Sequence, residues 1–202
     1  MGSIVSLFLP KHRIQLLLLR TEAHSQVTSR VLSLNPLFTR VLTAMANLVF
    51  QQGTHKLIKA KKSHIDYIVP FIRKEDRLEV ACMGSTPEES LHRAFETDDA
   101  TLTIVDGGDV PIAMLGVGQV IDMAYIWMLG TDAVRDASYD FLKASRKVTQ
   151  SLTKPYGATF NFVHKENKTA IKWLKFCGAT FTRTLSFSNQ PFYEFIITYR
   201  KK

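Results

Sequence analysis

Residues 163–179 read Val163-His164-Lys165-Glu166-Asn167-Lys168-Thr169-Ala170-Ile171-Lys172-Trp173-Leu174-Lys175-Phe176-Cys177-Gly178-Ala179, and this stretch decides the fold. A polar turn ends in Asn167, whose side-chain oxygen suits the unpaired amides that open a helix. Ile171, Trp173, Leu174 and Phe176 give that helix its apolar positions, and Gly178 stops it as a left-handed cap would. Thr159 to Val163 alternates like a strand just before it. Two more strand-like runs follow, Phe181 to Phe187 and Phe192 to Tyr199. The segment therefore predicts strand, helix, glycine stop and terminal hairpin.

Upstream, strand and helix patterns alternate from His55 onward. Lys56 to Ala60 reads as a strand, and Ser63 as the N-cap of a helix to about Lys74, with Ile65, Ile68, Val69 and Ile72 inward. Glu75 to Val80 reads as a short helix. Thr86-Pro87-Glu88-Glu89 opens another, with a capping Thr, Pro in the first position and two carboxylates in the first turn. Thr101 to Val105 and Val110 to Val117 flank the turn Asp106-Gly107-Gly108-Asp109, a hairpin signature. Ala124 to Leu129 gives a further strand, and a helix is expected from Asp132 or Ala133 to Leu152.

Residues 1–54 differ from the rest. Glu22 is their only acidic residue, against Lys11, Arg13, Arg20, Arg30 and Arg40. Val27, Val31 and Leu34 recur at helical spacing. Asn35-Pro36 then opens a second amphipathic helix, with Leu37, Val41, Leu42, Ala44, Met45, Leu48 and Val49 on its stripe and Gly53 past its end. The expected organisation is a helical arm over 1–54 and a domain over 55–202. An apolar stripe outside a complete domain must be buried somewhere, on its own domain or on another subunit. In the second case Leu37, Val41, Met45 and Leu48 are the interface.

A 46% hydrophobic share over 202 residues is enough for a real core, and 22% charged residues exclude a disordered chain. The net charge of +8 favours acidic partners, but the charge is spread out. The only dense basic patch before the tail, Lys59, Lys61 and Lys62, reads as a solvated face. Cys82 and Cys177 form no CxxC pair, which fits reduced thiols. No apolar run is long enough for a membrane span, and Ile4 to Leu19, broken by Pro10-Lys11-His12-Arg13, is a poor signal peptide. The histidines have no metal-ligand spacing, so no metal is expected. Gly116-Val117-Gly118 lacks the third glycine of a dinucleotide loop. Glu75 and Glu79, four apart, could share a helix face as bases for an amine, but read more simply as surface carboxylates. Phe187, Phe192, Tyr193 and Phe195 read as sheet packing.

The order of elements from residue 55, with the helix from Asn167 to Gly178, resembles the GNAT fold of acyl-CoA-dependent N-acetyltransferases. The resemblance implies an α+β architecture: a mixed, mostly antiparallel sheet flanked by helices, here preceded by the helical arm. It also sets two requirements for chemistry. The family's turn after its fourth strand, Arg or Gln, two residues, Gly, one residue, then Gly or Ala, offers bare amides to the acetyl-CoA pyrophosphate. The corresponding stretch, Met128 to Ala137, holds one glycine, looks short, and places Asp132 where an N-cap would sit. Many members also protonate the departing thiolate with a Tyr seven residues after the Asn, and that position is Leu174. Asn167 itself survives and would help hold the pantetheine arm if acetyl-CoA binds, although an N-cap role explains it better.

Tyr125-Ile126-Trp127-Met128, Trp173-Leu174-Lys175 and Gly178-Ala179 with Phe181 bring the chain closest to a narrower group. These residues resemble the GNAT-like internal virion protein A family of short-tailed bacteriophages. That likeness implies a virion or assembly protein with no catalytic residues and no cofactor. It implies portal or internal core proteins as partners, nonspecific contact with packaged DNA, and a place in the virion interior after assembly in the host cytoplasm. The alternative is an active N-acetyltransferase using acetyl-CoA on an amine.

Overall fold

The computed structural model describes residues 50–136 and 139–200. Its first half runs β1 (Phe50–Gln52), β2 (His55–Lys59), α1 (Lys62–Ile68), α2 (Lys74–Cys82), α3 (Pro87–Thr97), β3 (Ala100–Val105), β4 (Pro111–Val120) and β5 (Met123–Gly130). The second half runs α4 (Tyr139–Thr153), β6 (Ala158–His164), α5 (Lys168–Cys177), β7 (Ala179–Phe187) and β8 (Gln190–Thr198). The strands form one eight-stranded sheet in the order β1-β2-β3-β4-β5-β6-β8-β7. Every neighbouring pair is antiparallel except β5 and β6. This is the mixed, mostly antiparallel α+β architecture expected from the sequence. The arm helices, with Leu37, Val41, Met45 and Leu48, lie outside the described residues. No helix among the described residues is long and apolar enough to cross a membrane.

Local chemistry explains most boundaries. Thr86 accepts from Glu89 N while the Glu89 carboxylate accepts from Thr86 N, a reciprocal capping box that starts α3. Asn167 Oδ1 accepts from Ala170 N at 3.2 Å, and Gly178 closes α5 at φ 94°. Asp106 Oδ1 accepts from Gly108 N and Val110 N and pins the β3–β4 turn.

Three expectations need correction. The helix expected to be capped by Ser63 and to run to Lys74 spans Lys62–Ile68 instead, with Lys61 at the N-cap position, and a 3₁₀ turn, Val69–Phe71, follows. Pro70 has no amide to continue the α-helical ladder, and the backbone turns extended at Ile72 and Arg73. The helix expected from Asp132 begins only at Tyr139, because Asp132–Asp136 form a separate 3₁₀ turn. Phe50–Gln52, assigned to the end of an arm helix, pair with β2 instead, so the sheet starts before residue 55.

Two apolar layers sandwich the sheet. On one face, Ile65, Ile68, Val80 and Leu91 of α1–α3 pack on Met114, Trp127, Leu129 and Phe162. On the other, Val148, Leu152, Ile171 and Leu174 of α4 and α5 pack on Leu115, Val117, Ile126 and Val163. β4 and β5 are buried on both faces, so their sequences read as apolar runs rather than clean alternation. The expected sheet packing of the terminal aromatics is present. Phe192 and Phe195 are buried, and Phe192 stacks edge-on against Phe187.

Gly116 and Gly118 serve this packing. A Cβ on Gly116 would lie 2.5 Å from Ala100 O and 2.8 Å from the Trp127 ring. The missing side chains let Tyr125 and Trp127 lie across β4 and donate to Asp98, both at 2.6 Å. Gly116→Ala should therefore destabilise the fold by about 1–3 kcal/mol through overpacking. Thermal unfolding of the variant against the parent chain measures this, and an unchanged melting temperature would contradict it.

Candidate functional site

β5 and β6 run parallel but pair at a single register point, Tyr125↔Phe160. Beyond it the strands part, and their edges carry peptide groups with no opposite strand to meet. Three side chains fill this fork. Asn161 Nδ2 donates to Ile126 O at 2.8 Å, while its Oδ1 accepts from Phe162 N. Asp76 Oδ2 accepts from Gly130 N of β5 at 2.9 Å. Glu79 Oε1 accepts from His164 N of β6 at 3.0 Å and from Asn167 Nδ2 at 2.9 Å. Asp76 and Glu79 are three apart on α2 and so share one helix face. The helix lays one carboxylate on each diverging strand.

The approach of α2 follows from its sequence. After Pro70 breaks the helical path, Arg77 donates to Val69 O at 2.6 Å, Pro70 O at 3.0 Å and Ile72 O at 3.0 Å. These carbonyls lost their helical partners at the break. Arg73, extended just before α2, forms a buried two-pronged pair with Asp76, at 2.7 Å from Nη2 to Oδ1 and 3.2 Å from Nε to Oδ2. Burial pushes the Asp76 carboxyl upward, opposed by the Arg73 charge and the Gly130 amide. Glu79 has no such cation in contact. Burial raises it to about 7, and the donors from Asn167 and His164 only partly offset that. The reading of Glu75 and Glu79 as surface carboxylates holds for Glu75, which meets Arg135 at 3.0 Å in solvent, and is corrected for Glu79.

Beneath the fork lies a chamber of about 80 Å³ lined by Asp76, Glu79, Trp127, Asn161 and Asn167. It adjoins a wider groove of about 600 Å³ between α4, α5 and the sheet. Arg73, Leu115, Met128, Thr149, Ala170 and Trp173 wall both spaces. Trp173 Nε1 donates to Ser145 Oγ at 2.9 Å and ties α5 to α4 across the groove. Leu174, at the position of the family's tyrosine, is buried in the core at 5% exposure.

The turn after β5 is longer than expected, because α4 starts only at Tyr139. Counted from Arg135, the family's glycine positions fall on Ser138 and Asp140. Asp132, expected as the N-cap, meets Arg135 Nε at 3.4 Å instead. Asp140 lies in the first turn of α4. Among residues the sequence reading passed over, Arg73, Asp76 and Asn161 build the site. The i, i+3 acidic pair after a basic residue was their one visible sign.

No protein-family model matches the sequence. No curated relative matches it either. Solved structures do. A GNAT-family acetyltransferase from Bacillus anthracis is 10% identical, covers 73% of this chain over 96% of its own length, and superposes with a TM-score of 0.55. A GCN5-related N-acetyltransferase from Kribbella flavida is 15% identical, with 72% and 98% covered and a TM-score of 0.53. The spermidine N-acetyltransferase of Vibrio cholerae, solved with CoA and spermine, is 12% identical, with 72% and 96% covered and a TM-score of 0.52. At these identities the likeness defines the fold class: this chain has a GNAT-like fold.

The Glu79 environment predicts a pH dependence. A carboxyl raised from 4.5 to about 7 in the folded state stabilises that state fully below its unfolded pKa, and the contribution is lost as pH rises toward 7. Between pH 4.5 and 7 the parent chain should lose on the order of 2–4 kcal/mol from this group. Glu79→Gln keeps an acceptor for His164 N and Asn167 Nδ2 but cannot ionise. Its chemical-denaturation midpoint should therefore vary less across that range, and parallel pH profiles would contradict the assignment.

Proposed function

We propose that this chain is a non-catalytic GNAT-fold protein that serves as an internal virion or assembly protein of short-tailed bacteriophages, docked on portal or internal core proteins. The observation that carries the non-catalytic part is the filled fork. A thioester or pantetheine lying between the diverging strands needs their free peptide groups as partners, and Asp76, Glu79 and Asn161 already engage Gly130 N, His164 N and Ile126 O. The residues at the α4 turn fit acetyl-CoA no better. Counted along the sequence from Arg135, Ser138 and Asp140 stand where the family has the glycines that bring bare amides to a pyrophosphate. Leu174 has no proton to give. The phage assignment is supported by the likeness of Tyr125–Met128 and Trp173–Phe181 to internal virion protein A, and basic charge suits a site beside packaged DNA.

A second reading, an active N-acetyltransferase on an amine, is favoured by one observation. Glu79 titrates near neutrality at the wall of a chamber, as a base for an ammonium substrate should. Calorimetric titration with acetyl-CoA separates the two. The non-catalytic reading expects a dissociation constant weaker than about 100 μM and no acetylated product with polyamine or peptide amines. Micromolar binding with turnover abolished in Glu79→Gln would establish the enzyme instead. Mass spectrometry of purified particles tests the virion assignment, which fails if the chain is made during infection but absent from them.

A further inference from the structure

The groove between α4 and α5 is a wide, mostly apolar concavity of about 600 Å³. Leu115, Met128, Val148 and Trp173 line it, and Leu142 and Phe176 stand exposed at its mouth. Its wall continues onto Leu57 of β2 and Ile104 of β3. An apolar concavity of this size requires a cover.

The chain brings a matching segment to its edge. Phe50, the first residue of β1, sits in register opposite Leu57, a wall of the groove. β1 also comes within 8 Å of α4, measured between Cα atoms. The chain therefore enters the sheet at Phe50, beside the groove. Residues 37–49 as a helix would reach about 20 Å, enough to cross from β1 over α4. Leu37, Val41, Met45 and Leu48 recur at spacings that put them on one helix face.

We propose that residues 37–49 of the same chain occupy this groove, with that face against Leu115, Val148 and Trp173. A tether this short holds the segment at an effective concentration of about millimolar, ahead of any dilute partner. The inference does not depend on the virion assignment, since it concerns the isolated chain.

The test uses the full-length chain carrying Val41→Asp. Uncovering the groove should shift Trp173 emission to the red and raise binding of a hydrophobic dye roughly threefold, with far-UV dichroism retained. Unchanged emission and dye binding would overturn the proposal and favour an arm reserved for a partner. If that variant fails to fold, a nitroxide on Met45→Cys in a Cys82→Ser background decides. It should broaden the methyl resonances of Leu142 and Val148 and spare Ile65 and Leu91 on the opposite face. Broadening seen only between labelled and unlabelled molecules would assign the groove to a second copy, and absence of broadening would leave the segment elsewhere. Either result ends the proposal.

Discussion

The parting of β5 and β6 is the constraint on which the rest of the molecule turns. Every other pair of neighbouring strands is antiparallel along its length, and most follow directly in sequence. β5 and β6 run parallel, so a crossover must return the chain, and α4 is that crossover. They meet at one register point and then diverge. Divergence leaves peptide groups inside the protein, and a buried amide without a partner costs about 1–3 kcal/mol. The fold must therefore supply acceptors from outside the sheet. α2 does so with Asp76 and Glu79, while Asn161 of β6 supplies a donor to Ile126 O and an acceptor for Phe162 N.

This requirement explains features that otherwise look unrelated. Pro70 interrupts the helical path so that α2 can turn toward the fork, and Arg77 gathers the carbonyls the interruption exposes. Arg73 compensates Asp76 so that one ionised carboxylate can be buried. Glu79 receives two donors but no cation in contact, so it holds its proton to higher pH. Asn167 joins the same network. Its Oδ1 caps α5 and its Nδ2 meets Glu79, so one side chain links the last helix to α2.

Much of the fold was legible because its signals are local. The Thr86 capping box, the Asp106 turn and the Asn167-to-Gly178 helix each fit within a short stretch of chain, and each stands where the sequence placed it. The site was legible only in part, because its partners are distant in sequence. Asp76 meets an amide of residue 130, and Glu79 meets one of residue 164. Nothing in the spacing of Glu75 and Glu79 shows that one faces solvent and the other faces the fork. The residue between the expected and observed starts of α4 that misled most was Asp132. It looks like an N-cap, but its carboxylate pairs with Arg135 within a 3₁₀ turn.

The filled fork also sets stability against ligand binding within a GNAT-like fold. An open fork is a strained arrangement kept for a ligand, because its unpaired peptide groups weaken the protein whenever the ligand is absent. Closing it with side chains from α2 removes that weakness and, by the same bonds, removes the donors a ligand would use. Stability and reactivity compete for the same few atoms here. Glu79 marks where the competition is least resolved. Its carboxylate is tied to the fold by Asn167 and His164 N, yet it borders an open chamber and titrates near neutrality. A single group can hold both positions because its two donors, His164 N and Asn167 Nδ2, meet the same oxygen, Oε1.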